Sequence, residues 1–162
     1  MITSRRDYLL RLIDEVGRLL ARAVLKRRAG AAVEALESVV ASCERLFQLE
    51  ADKLFQLTPE QHFAMLADGE TAEAGRDKIL LYAALNAEAG HIYRSLGKPP
   101  LARASLLNAL RFTLRARLEF PPGELPVFAP DIDALWAELA PEPLDAETQE
   151  MLAATRRLPP IK

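Results

Sequence analysis

Tyr8, Leu9, Leu12, Ile13, Val16, Leu19, Leu20, Ala23 and Val24 follow one another at steps of one, three and four residues. That rhythm paints one apolar stripe on a helix of 3.6 residues per turn. It returns in Val33, Leu36, Val39, Val40, Cys43, Leu46 and Phe47, which predicts a second helix over about 31–49. Only Gly30 stands between the two, so residues 1–49 read as a tight antiparallel hairpin, with Ser4 capping its start and Gly30 forming its turn. Ala and Leu are abundant and β-branched residues few, a balance that favours helices because Ala and Leu lose little freedom in them. An all-α fold follows.

Further along, Thr58, Pro59 and Gln61 supply an N-cap, a first-turn proline and a capping box for a short helix over 58–68, broken at Asp68 and Gly69. A second hairpin is predicted over 71–118. Its first helix carries Ile79, Leu80, Tyr82, Ala83, Ala89, Ile92, Tyr93 and Leu96, ends at Gly97, and Pro99 and Pro100 start the next. "FPPGELPVFAP" reads as a proline-rich strap over 119–130, pinned to the body by Leu125, Val127 and Phe128. Residues 131–162 hold two short acidic helices, near 131–139 and 145–156, and a frayed tail. At 162 residues the whole is expected to be one domain.

The two hairpins echo each other. Ala23, Gly30, Ala35, Val39 and Ser42 reappear 67 residues later as Gly90, Gly97, Ala102, Leu106 and Ala109, close to two 34-residue frames. Small residues are needed where paired helices cross closely, and glycine where the turn requires positive φ. On these residues the chain resembles the tetratricopeptide repeat family over about 16–49 and 83–116. It departs from the family pattern at Leu19 and Asn86, where an aromatic is usual, at Lys26 in the place of Tyr93, and at Leu114 in the place of a closing proline. The resemblance implies tetratricopeptide-like antiparallel hairpins in a right-handed helical array, here degenerate, with short C-terminal helices. The chain is also similar to small bacterial all-helical proteins with repeat-like pairs, which implies no activity.

Candidate chemistry is sparse. Glu88 and His91 form a Glu-x-x-His unit of the kind used in di-iron bundles. His62 is the one other histidine and lacks that spacing, so no metal site is expected. No Gly-x-Ser-x-Gly or phosphate-binding loop is present, and the seven glycines are scattered, so no catalytic residue or cofactor is assigned and a non-enzymatic protein is expected. Cys43, the single cysteine, has apolar neighbours and reads as a buried structural thiol in a reducing, cytoplasmic setting. No signal-peptide core or membrane span of roughly 18 apolar residues is evident.

Charge is more informative. Residues 1–30 carry eight Lys or Arg against three acids, and residues 120–155 carry eight acids with no Lys or Arg. The acidic arm is expected to dock on basic helix surfaces, in its own chain or in a dimer mate, so that removing 130–162 exposes a basic surface. Arg5, Arg6, Arg11, Arg18, Arg22, Lys26, Arg27 and Arg28 would suit phosphates, but aromatic platforms and a helix-turn-helix pattern are lacking, so no nucleic acid is expected.

The repeat resemblance implies a peptide groove on the inner faces of the first helices of the hairpins. Carried over, it holds Gly17, Leu20, Val24, Arg27 and Arg28, then Ala84, Ala87, His91, Arg94 and Ser95. Leu20, Val24, Arg27, Arg28, His91 and Arg94 are the candidate partner-binding residues, suited to an acidic, partly apolar protein or peptide segment. The same face could instead be filled by the short helix or the C-terminal arm. The expected function is a protein-interaction or scaffold module, self-association included. The alternative is a small-ligand-binding regulatory protein with an apolar interhelical pocket.

Overall fold

Gly30 and Gly97 both adopt left-handed backbone, with φ of +86° and +70°. Each ends a long helix in the same way. The Ala31 N–H donates to the Lys26 carbonyl at 2.9 Å and the Gly30 N–H to Arg27 at 3.0 Å; Lys98 and Gly97 repeat the pattern on Tyr93 and Arg94 at 2.9 and 3.1 Å. These are Schellman turns, which close the last carbonyls of a helix and reverse the chain.

A computed structural model describes residues 2–68 and 71–159, with side chains from Arg5 onward. Among the described residues there are eight helices and no strand. They are α1 (Ile2–Arg28), α2 (Ala32–Phe47), α3 (Ala51–Leu54), α4 (Pro59–Ala67), α5 (Ala72–Ser95), α6 (Pro99–Glu119), α7 (Ile132–Leu139) and α8 (Ala146–Arg156). The chain is therefore all-helical. Gly69, predicted to break α4, and residues 160–162 of the tail lie outside the described residues.

Most local signals are used as the residues suggest. Both arms of the Thr58–Gln61 capping box form, and Thr71, Asp131 and Asp145 cap α5, α7 and α8. Ser4 is not the start of α1, which already runs from Ile2. The single turn α3 was not foreseen: it is too short for periodicity to register. The Glu44 carboxylate accepts from its Ala51 N–H at 2.9 Å, and His62 bonds its last carbonyl, Leu54, at 2.7 Å. Gln48 ends α2 at φ +55°, the single non-glycine at positive φ among the described residues, and its amide contacts the Tyr8 hydroxyl.

Both hairpins are antiparallel. Lys26 meets Ser38, Glu15 meets Arg45 and Tyr8 meets Gln48 across α1 and α2. Gly90 meets Leu106, Tyr82 meets Phe112 and Gly75 meets Phe120 across α5 and the end of α6. The five position pairs of the internal repeat play equivalent parts in the two hairpins. Ala23 and Gly90, Ala35 and Ala102, Val39 and Leu106, and Ser42 and Ala109 are all buried, and Gly30 and Gly97 form the turns.

α5 is the hub, packed against α1, α2, α4 and α6. Residues 79–85 are buried on every side, including Leu81, Ala84 and Leu85 beyond the predicted stripe. A helix apolar all round belongs in the middle of a domain. A first core joins α1, α2, α4 and α5 to Phe112 and Ala116 of α6. A second joins Leu106, Leu110 and Leu114 of α6 to Leu135 and Leu139 of α7 and Leu152 of α8. The strap is pinned by Leu125 and Phe128, which pack on the first core; Val127, the third predicted pin, is fully exposed.

At Gly90 a Cβ would lie 2.7 Å from Leu106 Cγ and 3.1 Å from the Ala102 carbonyl, whereas at Gly97 it would meet nothing within 4 Å. Gly90→Ala is therefore expected to lose about 1–2 kcal/mol by overpacking, net of the helix propensity gained. Gly97→Ala should lose about 1–2 kcal/mol through backbone strain alone, and Gly97→Asn less. Urea denaturation of the three variants separates the two causes, and equal costs for Gly97→Ala and Gly97→Asn would contradict the strain account.

Candidate functional site

The face predicted as a peptide groove runs along α1 and α5, and the chain's own strap and α7 meet it at a few points. Phe128 of the strap lies 4.0 Å from where a Gly17 Cβ would stand. Ala87 packs on the core that contains Leu135 and Leu139 of α7. His91 Nε2 lies 3.1 Å from both carboxylate oxygens of Glu138, also on α7. The face is thus partly occupied by the strap and the C-terminal arm.

This divides the six candidate partner-binding residues. Leu20 is core, and Val24 is half-buried against it. Arg27 reaches across to α5, where its Nε and Nη2 grip the two oxygens of Glu88, Nη2 at 3.3 Å. His91 is engaged by α7. Arg28 and Arg94 are exposed and make no ion pair or hydrogen bond among the described residues. Sequence spacing placed all six on one face; it could not show that α7 would lie over part of it.

Arg27, Glu88, His91 and Glu138 thus form a chain of alternating charge from α1 through α5 to α7. The Glu88 side chain is 5% exposed and that of Arg27 21%. Burial pushes the Glu88 carboxyl up, but contacts with His91 and with the Arg27 guanidinium outweigh it and hold the group below its ordinary range. The Glu88 carboxylate, 4.0 Å from His91 Nδ1, raises the His91 pKa against the effect of burial, and Glu138 adds to the rise. With Arg27 on Glu88 and Glu138 on His91, the Glu-x-x-His unit serves as an interhelical clamp. Among the described residues no three His, Cys, Asp or Glu side chains are grouped as a metal site.

The other histidine is structural. His62 Nε2 donates to the Leu54 carbonyl at 2.7 Å, leaving Nδ1 to accept from the Tyr82 hydroxyl at 3.3 Å. Its ring sits edge-on to Phe47 and Tyr82. Cys43 is buried, and burial, with Glu44 nearby, pushes its thiol up to about 12, so it stays protonated and inert.

The acidic arm docks in its own chain, on α5 and α6 rather than on the basic α1. Besides Glu138 on His91, Glu142 pairs with Arg103 at 2.9 Å and Glu147 with Arg111 at 3.0 Å. Arg103 also donates to the Leu139 carbonyl at 3.1 Å, at the negative end of α7. Sequence reasoning passed over these two arginines. Their i, i+8 spacing on a helix preceding an arm of unpaired acids was the available signal. Removing 130–162 would uncover Leu106, Leu110 and Leu114, an apolar face rather than the basic surface expected.

What stays basic is the outer face of α1. Arg11, Arg18 and Arg22 lie along it at i, i+7 and i+11, beside Leu25, which is 65% exposed. Arg18 contacts Asp14, both of them well exposed, an arrangement that contributes little. Arg6, Arg11 and Arg22 form no ion pair among the described residues. No helix among the described residues is long and apolar enough to cross a membrane. Comparison with family models, with curated proteins and with solved structures finds no match.

Two outcomes follow from the charge chain. Arg27→Met leaves Glu88 buried without its main partner and is expected to cost about 3 kcal/mol, whereas Arg27→Met with Glu88→Met should recover most of that loss. Urea midpoints of the single and double variants check this. For His91, the folded pKa lies above its ordinary 6.5. Its contribution is therefore fully present below 6.5 and is lost as pH rises through the folded value. Glu88, held below 4.5, stays ionised through that window. The stability deficit of His91→Gln should be larger at about pH 5.5 than at about pH 9, and a deficit that does not vary with pH would show that His91 acts by packing alone.

Proposed function

We propose that the protein is a non-enzymatic interaction module, built on tetratricopeptide-like hairpins, that takes an acidic, partly apolar segment of a protein partner along the basic side of α1. The observation that carries this reading is the uneven neutralisation of charge. Glu138, Glu142 and Glu147 of the arm are matched on α5 and α6, and α1 keeps exposed arginines with apolar Leu25 between them. A basic face of this kind steers acidic partners toward it, and arginine pairs well with carboxylates. The repeat-like reading is supported by the burial of the other four position pairs and by the matching turns at Gly30 and Gly97.

Contacts of the strap and α7 on the inner face favour a binding surface other than the one the resemblance implies. Leu20 and Val24 serve the core, Arg27 and His91 serve the clamp, and Arg28 and Arg94 stay available at the rim. Displacing the arm would expose Leu135 and Leu139 together with the α6 leucines, which makes the outer face of α1 the less costly surface to use.

Affinity capture from native extract tests the reading with wild type, Arg11→Glu/Arg22→Glu and a control, Glu34→Lys/Glu37→Lys, on α2. The α1 variant is expected to lose the captured partner while the α2 control keeps it, and raising salt should weaken capture by wild type. Recovery of the same proteins by the wild type and the α1 variant would reject the α1 surface.

A further inference from the structure

A cavity of about 540 Å³ opens between the C-terminal end of α6, the strap and the chain after α8. Phe120, Pro121, Pro122, Leu125 and Leu158 give it apolar walls, and Arg76 and Arg117 give it cationic ones. Its volume lies within the range that holds small organic ligands. Two successive prolines stiffen the strap side, so little order has to be gained on binding.

The two arginines differ in their commitments. Arg76 is buried, donates through Nη2 to Asp77 at 2.9 Å and to the Glu124 carbonyl at 2.8 Å, and so holds the strap in place. Gly123 passes so close that a Cβ there would lie 2.9 Å from Arg76 Nη1. Arg117 is half-buried and has no hydrogen bond or ion pair among the described residues. It is alone in this on α6, where Arg103, Arg111 and Arg115 pair with Glu142, Glu147 and Glu60.

The acids around Arg117 do not take that place. Asp131 and Asp133 line a neighbouring cavity that Arg117 also lines, but the Asp131 carboxylate caps α7 through the Ala134 N–H at 3.1 Å, and Asp133 faces Arg156 at 3.8 Å. Glu124 lines the wall near Arg76 and is exposed, where water screens its charge. Arg117, half-buried and without an ion pair among the described residues, beside apolar walls, is complementary to a molecule with a carboxylate at one end and a hydrocarbon body.

We propose that this cavity binds a free medium-chain alkyl carboxylate, with Arg117 gripping the carboxylate and the strap prolines, Phe120 and Leu158 enclosing the chain. This does not rest on the α1 surface, and either assignment stands if the other fails. The test titrates the full chain with decanoate by calorimetry, with octanoate and decan-1-ol as comparisons. Saturable one-to-one binding of decanoate is expected, with octanoate more than about tenfold weaker, since each buried methylene is worth roughly fourfold. Decan-1-ol should bind at least about tenfold more weakly, because it cannot pair with a guanidinium. Arg117→Gln should bring decanoate down to the affinity of the alcohol, while Arg11→Gln leaves it unchanged. Leu158→Trp, placed on the exposed tail, should abolish binding by filling the cavity with Arg117 intact. The proposal is overturned by an absence of saturation at millimolar decanoate, by equal affinity for acid and alcohol, or by undiminished binding to Arg117→Gln or to Leu158→Trp.

Discussion

The close crossing of α5 and α6 at Gly90 is the contact on which the rest of the molecule depends. With no side chain at that position, the Leu106 side chain and the Ala102 carbonyl lie against the α5 backbone. This brings the two longest runs of buried side chains together and leaves α6 with two working faces. Phe112 and Ala116 turn toward the first core, and Leu106, Leu110 and Leu114 toward the second. The C-terminal helices have a place to dock because α6 is held this close to α5. Interiors packed at crystal-like density allow little slack at such a crossing.

Electrostatics then decides how the surfaces are used. A carboxylate as buried as Glu88 is tolerable when it is paired, and the pair comes from a helix 61 residues away in sequence. Through His91 the same carboxylate is linked to α7, so one buried acid ties three helices. The arm's remaining ion pairs with α6 use Glu142 and Glu147 and leave the basic side of α1 unmatched. Uneven neutralisation of this kind separates cationic side chains that hold the fold together from those left unpaired. Arg117 belongs to the second group, and Arg103 and Arg111 to the first.

Much of the helical pattern was legible because its causes are local. Capping boxes, Schellman glycines and first-turn prolines act within a few residues, so Thr58, Gly30, Gly97 and Pro99 could be read directly. The repeat of small residues was equally plain, since close helix crossings leave few alternatives to Gly, Ala and Ser. Other features depend on a partner distant in sequence. α3 is one turn held by Glu44 and His62, and Gln48 takes a left-handed backbone with Tyr8 beside it. Val127 differs from Leu125 and Phe128 only in the direction that the strap happens to face.

The candidate site shows the same division. Sequence spacing drew attention to His91 and Arg94 as side chains that simple packing does not explain; in the structure Arg94 stays exposed, and His91 joins Glu88 and Arg27 in the charge chain. Their roles came from Glu138 and from the path of the strap, neither of which periodicity encodes. By itself the sequence determined the longer helices and the two glycine turns, because propensity, capping and backbone strain act over one turn or a few. Only the tertiary structure decided that α5 is central, that the arm docks on α6 and reaches His91, and that Arg117 is left beside a cavity. Those outcomes arise from shape and charge matched between segments dozens of residues apart, which no local pattern of residues specifies.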